Sequence, residues 1–317
     1  MLQTNKKQHI LALVMLSLTA VAWGAGFVLN DQLLSKFFYH TPLLFNTIRF
    51  ALSAVLLVAI FCTKLSLDKR SLLYSALGGV FLFAAFALQV YGLKYTTPAH
   101  SGFFTAGYIV FVPFVVWAIC KKRPSATTLC GVVVAICGLA ILNLNGDKEH
   151  GNDILLGDMI TLASALMFSL QIVWSEISLQ KGVDHYSFTT FQMCVAAILF
   201  ALGSVAFEHG SYGTVTFETS YGIWRFAIVI LFGTVFAYFS QTYSQQYLSS
   251  GETALIMGCE SPIGAVLSLI VGADKFGWNI VIGGLLVIAA VVLVEVVPAL
   301  SKKSASVDEQ DNRDCTN

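Results

Sequence analysis

Arg49 and Glu260 stand seven or eight residues inside long apolar runs, in "FNTIRFALSAVLL" and "GETALIMGCESPIGAVLSLIVG". An arginine at bilayer depth costs about 2.5–3.5 kcal/mol on insertion scales, so such charges face other helices or an aqueous cavity. There the Arg49 guanidinium could meet a substrate carboxylate, or clamp helix ends and backbone carbonyls. Glu260 could pair with Arg49, since ~1.5 Å of rise per residue puts the two at similar depth. It could instead carry a proton if burial raises its pKa, or stay a protonated packing group. Gln89, Gln171, Gln192 and Gln241 bring amides that donate and accept, and such groups need partners in hydrocarbon. They suit a cavity wall, or interhelical hydrogen bonds worth roughly 0.6 kcal/mol each. Gln89 and Gln241 are the stronger cavity candidates. Trp23, Phe86, Tyr91, Tyr108 and Tyr243 could wall a site; the alternatives are packing, lipid contact or an interfacial belt. Glycines 24 and 26 flank Trp23 closely enough to let backbone or ligand approach.

This is chemistry for holding a small solute rather than breaking bonds. There is no H-E-x-x-H, no paired intramembrane aspartate and no Walker A pattern. His100-Ser101 lacks the glycines and strand context of a nucleophile elbow and suits a helix start. The seven cysteines have no metal-ligand spacing and read as small packing residues. No cofactor is expected.

The elements that must position these groups are membrane spans. The chain has 317 residues, 56% hydrophobic and 11% charged, against about 25% charge in soluble domains. Zero formal net charge gives no basic field for nucleic acid. Apolar runs of roughly 17–25 residues, long enough to span, recur at 10–30, 42–62, 72–92, 98–119, 127–143, 157–179, 187–207, 222–242, 252–272 and 278–298. Thr97-Pro98 reads as an N-cap with proline at the first helical position, Ser249-x-x-Glu252 as a capping box, and Pro298 as a stop. Lys6, Lys7 and Ala20-Val21-Ala22 imitate a signal peptide, but the apolar run continues to about residue 30, so the segment reads as a retained span.

With the N-terminus inside, one side holds Lys6, Lys7, Lys64, Lys69, Arg70, Lys121, Lys122, Arg123, Lys181, Lys302, Lys303 and Arg313. The other holds Lys36, Lys94, Lys148, Arg225 and Lys275, twelve against five. Positive charge favours the cytoplasmic side, so both termini are expected there, in a cell membrane.

The chain also repeats itself. A shift of 152 pairs Gln89 with Gln241, Tyr91 with Tyr243, Tyr95 with Tyr247 and Gly131 with Gly283. With small gaps, 45–57 parallels 188–200, setting Arg49 against Gln192, and 20–27 parallels 165–172. Each unit has five spans, and consecutive odd units are inverted in the membrane. Inverted repeats place a site near the midplane and let access alternate.

"AVAWGAGFVLN", "FNTIRFALSA", "LQVYGLKYTTPAHSGFFTAGYIVFVPF", "GETALIMGCESPIGAVLSLIVG" and "IGGLLVIAAVVLVE" together resemble the EamA-type transporters of the drug/metabolite transporter superfamily. The resemblance runs from about residue 10 to 298. It implies ten helices in two repeats, cytoplasmic termini, and a central cavity for small metabolites, amino acids or drugs.

The expected fold is therefore an all-α polytopic membrane protein of ten transmembrane helices in two inverted five-helix repeats. A cytoplasmic N-terminus spans 1–9, the first repeat 10–143, an extracytoplasmic linker 144–156, the second repeat 157–298 and a disordered cytoplasmic tail 299–317. The expected function is secondary transport of a small polar or amphipathic metabolite by alternating access, with export of an amino acid or related compound implied by the resemblance. Proton coupling through Glu260 is one option; the oligomeric state is left open. A lipid or lipid-linked-sugar flippase subunit also fits, and a polytopic membrane enzyme less well. A lateral amphipathic groove would favour lipid, whereas a closed central cavity holding Arg49 and Glu260 would favour a soluble metabolite.

Overall fold

The computed structural model describes residues 6–96, 98–121, 123–142, 151–215, 221–270, 277–279, 281–290 and 292–293. The expected stop at Pro298, the cap at Thr97 and the tail 299–317 lie outside them. Helices follow one another as the apolar runs dictate: α1 (Lys6–Phe37), α2 (Pro42–Phe61), α3 (Lys69–Leu93), α4 (Pro98–Thr105), α5 (Tyr108–Cys120) and α6 (Ala126–Leu142). Then come α7 (Gly151–Gln180), α8 (His185–Phe207), a 3₁₀ turn (His209–Thr214), α9 (Tyr221–Ile230), a π-helical turn (Leu231–Phe236), α10 (Ala237–Ser244), α11 (Ser250–Gly258) and α12 (Glu260–Ile270). A last apolar helix, α13, covers Val281–Ala290.

Among the described residues, seven helices are long and apolar enough to cross a bilayer, against the ten expected runs. The difference has local causes. The expected ninth span is broken into α11 and α12 at Cys259, the fifth is α6 with 17 residues, and the tenth is described only in part. The fourth span is also broken, at Ala106-Gly107. Residues 151–156 of the expected linker belong to α7. The capping box forms as the sequence indicates: the Ser249 side chain accepts from Glu252 N–H, and the Glu252 carboxylate accepts from Ser249 N–H.

Packing fixes the relation between the halves. Helices α2 and α8 occupy equivalent places, yet Phe61 meets Tyr186 at one end and Phe50 stacks on Phe200 further along. The pair therefore runs antiparallel, which makes the two repeats inverted. They also interlock. Helix α3 packs on α7 and α8 of the second repeat, and α1 packs on α10 and α12. Glutamate 208, just past α8, accepts from the Leu43 and Leu44 amides, so one repeat caps a helix of the other. Burial holds that carboxyl above its ordinary range, against the pull of the two amides.

Close approach at these crossings needs residues without a side chain. A Cβ on Gly79 would lie 2.7 Å from Val195 Cβ in α8, and one on Gly24 would lie 2.8 Å from the Glu260 carbonyl in α12. The second contact is backbone against backbone, so nothing flexible can yield. Gly24→Ala is expected to cost about 1–3 kcal/mol, the usual penalty for overpacking. Thermal unfolding of the purified variant, followed by tryptophan fluorescence, checks this; an unchanged midpoint would rule out the crossing as drawn.

Candidate functional site

The interlocked repeats enclose a cavity of about 520 Å³. Its walls come from both halves. Trp23 on α1, Arg49 on α2, Gln89 on α3, Tyr108 on α5, Gln241 on α10 and Glu260 on α12 all line it. Tyr91 does not: Lys94 Nζ lies 5.2 Å from its ring, at the end of α3. Tyr243 also lies elsewhere, in an aromatic cluster with His185, Phe239 and Tyr247.

At the centre, the Tyr108 hydroxyl donates to Glu260 Oε1 at 3.0 Å. The two residues are 152 positions apart, the repeat shift itself. Residues related by an approximate two-fold touch only beside its axis. Phe86 and Tyr238 form a second such pair, their rings 6.3 Å apart, and both face the cavity. Each member of the first pair opens the second piece of a broken span, Tyr108 at α5 and Glu260 at α12. The breaks at Ala106-Gly107 and Cys259 are thus repeat-equivalent, as in transporters whose discontinuous helices border a midplane site.

Arg49 is bonded to the wall at two points. Its Nε donates to Thr234 Oγ1 at 2.6 Å and its Nη2 to the Gly233 carbonyl at 3.1 Å, while its guanidinium carbon lies 4.9 Å from the centre of the Phe86 ring. Of the two sequence readings, these bonds are those of the backbone clamp; they go to the π-helical turn and not to Glu260. A π-turn displaces carbonyls from the regular ladder. Gly233 uses its carbonyl to accept from Trp23 Nε1 as well, at 2.9 Å, and Thr234 returns its hydroxyl to Val229 O.

The glutamines form a chain rather than separate contacts. Gln241 Nε2 donates to Gln171 Oε1 at 3.0 Å, and Gln171 Nε2 donates to Gln192 Oε1 at 3.1 Å. Gln241 Oε1 and Gln192 Nε2 remain buried without a protein partner, which leaves an acceptor on a cavity-lining residue. Gln89 Nε2 donates to Thr105 Oγ1 at 3.1 Å.

The sequence reading missed Tyr238, Gly233 and Thr234. The first was findable, because the repeat shift places it opposite Phe86. The π-turn has no sequence signal beyond a glycine next to a threonine.

One end of the bundle is laced shut below the cavity. Gln245 Nε2 donates to Ile172 O, Ser244 Oγ to Ala12 O, and the Glu176 carboxylate accepts from Ser250 N and Oγ. The cavity instead reaches toward the other end, past Asn30, Leu34 and Leu93. Thr234→Val removes the acceptor for a buried charged donor, so a loss of about 1.5–3 kcal/mol is expected. Chemical denaturation of the variant measures it; a loss under a few tenths of a kcal/mol would show that Arg49 is held otherwise.

Comparison with known proteins agrees with this architecture. The EamA-like transporter family matches residues 10–144 and again 155–296. An uncharacterized transporter of Archaeoglobus fulgidus is 26% identical, covering 88% of this chain and 84% of that protein. The uncharacterized transporters YetK and YyaM of Bacillus subtilis are 25% and 23% identical, covering 74% and 93% of this chain and 74% and 97% of their own lengths. A solved structure described only as "Crystal structure of protein" has TM-score 0.73 at 13% identity, covering 90% of this chain and 96% of that one, a likeness of fold. This chain is a multi-pass membrane protein of the EamA-like transporter family, within the drug/metabolite transporter superfamily.

Proposed function

We propose that the protein is a secondary transporter that exchanges a small, amine-bearing amphipathic metabolite, such as an amino acid, for a proton. The observation that carries this is the Tyr108–Glu260 contact beside the two-fold axis, at the breaks of both discontinuous spans. Glu260 is an acid buried between repeats, and it faces the cavity. A substrate ammonium and a proton compete for one carboxyl, so each displaces the other as access alternates. Gln241 Oε1 adds an acceptor for the same ammonium. A guanidinium has five N–H donors, so Arg49 serves a substrate carboxylate with those beyond its two wall bonds. Phe86, Trp23 and Tyr238 flank the substrate with aromatic faces.

The lysine and arginine distribution supports a cytoplasmic position for the laced end; on that reading the structure is an outward-open form, and export in the cell membrane is the direction we propose. The inverted repeats supply the inward-open form by exchanging their conformations. Proteoliposomes loaded with a panel of labelled amino acids, with and without a pH gradient, test the proposal. Glu260→Gln is expected to reduce gradient-driven flux at least about tenfold, the equivalent of about 1.4 kcal/mol. Equal flux by wild type and variant, or flux indifferent to the gradient, would sink proton coupling through Glu260.

A further inference from the structure

The cavity does not end at the bundle's interior. Four of its lining residues, Leu18 and Val21 on α1, Ile228 on α9 and Phe232 on the π-turn, are 50%, 47%, 43% and 56% exposed on the outer face of the helices. The cavity therefore continues through the seam between α1 and α9. That seam is pinned at two points, by Arg225 Nε donating to Gln32 Oε1 and Trp23 Nε1 donating to the Gly233 carbonyl. The pins are nine residues apart on α1, about 13 Å along the helix. At the Gln32–Arg225 pin, Phe38 and Phe226 stack, and with Leu33 and Ile230 they belong to one buried apolar cluster. Between and below the pins the seam is bordered by Ala22, Ala25 and Leu29. Ala22 and Ala25 are small enough to leave room for hydrocarbon. Val21 and Phe232 both lie near the middle of their spans, Lys6–Phe37 and Gly222–Ser244, so the opening is at the bilayer midplane.

We propose that this seam is the binding site for the apolar tail of the substrate, whose ammonium end sits at Glu260; the inference rests on the reading of Glu260 given above. The occupant is a free amphipathic amino acid with an unbranched hydrocarbon chain. Continuity with the polar chamber argues for it, since one molecule can span both environments. The opening is lateral, which taken alone would suit lipid. The polar chamber behind it, lined by Arg49 and Glu260, favours a free amino acid, because a bilayer lipid in the seam would leave that chamber unfilled. The polar cavity selects the head, and the seam selects chain length.

The test is a binding series with the purified protein in nanodiscs, using tryptophan fluorescence and 2-aminobutanoate, 2-aminohexanoate, 2-aminooctanoate and 2-aminodecanoate as probes. Affinity is expected to rise by about fourfold per added methylene, as for hydrocarbon leaving water. Ala25→Phe, which fills the seam, is expected to flatten that slope, with Leu29→Phe as a second filling variant if the first does not fold. Binding of the short member that depends on Glu260 without any gain from chain length would overturn the tail site and leave the head reading intact. Binding of no member would overturn both. A phospholipid retained by wild-type protein after delipidation, and lost from Ala25→Phe by mass spectrometry, would assign the seam to bilayer lipid instead.

Discussion

The carbonyl of Gly233 holds this structure's polar interior together. It accepts from Trp23 of α1 and from Arg49 of α2, and Thr234 beside it takes the second arginine bond. Hydrocarbon offers no water to satisfy a guanidinium or an indole N–H. A carbonyl oxygen has two lone pairs, so one such group can receive both. It lies in the π-turn at Leu231–Phe236. Three helices from two repeats are thereby fixed around one oxygen, and the cavity wall and the α1–α9 seam are both bounded by it.

Against this fixed side stands a more symmetric one. Tyr108 with Glu260 and Phe86 with Tyr238 are pairs of repeat-equivalent residues that touch. Their chemistry differs within each pair, a phenol against a carboxyl and a phenyl against a phenol. The inverted repeats bring equivalent positions together, and these differences make the centre chemically asymmetric. Arg49 aligns with Gln192, which bonds to Gln171 instead, so the guanidinium clamp is not repeated at that position. Because polar bonds lace one end while the cavity reaches the other, the two halves hold unequal conformations of similar parts.

Legibility varied by residue for physical reasons. Glu260 and Arg49 were conspicuous because a charge in an apolar run is costly, whatever it bonds. Trp23 drew attention through its flanking glycines, and one of these, Gly24, does meet the backbone of α12. Tyr91 and Tyr243 are aromatic wall candidates that the repeat also pairs, yet neither lines the cavity, because both lie at the ends of their helices, beyond the polar chamber. Repeat pairing identifies equivalent positions; it does not say which of them face inward.

The sequence alone determined that the chain is helical, spans a membrane repeatedly, consists of two related units and carries a capping box at Ser249. These follow from composition, the internal repeat and local hydrogen-bonding preferences, all of which are readable without knowing how the helices pack. Tertiary structure decided that Arg49 bonds to Gly233 and Thr234 rather than Glu260, that three glutamines form a chain, and that the cavity continues through the α1–α9 seam. Those outcomes join residues as far as 210 positions apart. They depend on the rotation of each helix about its own axis, which a run of apolar residues on every face leaves unspecified.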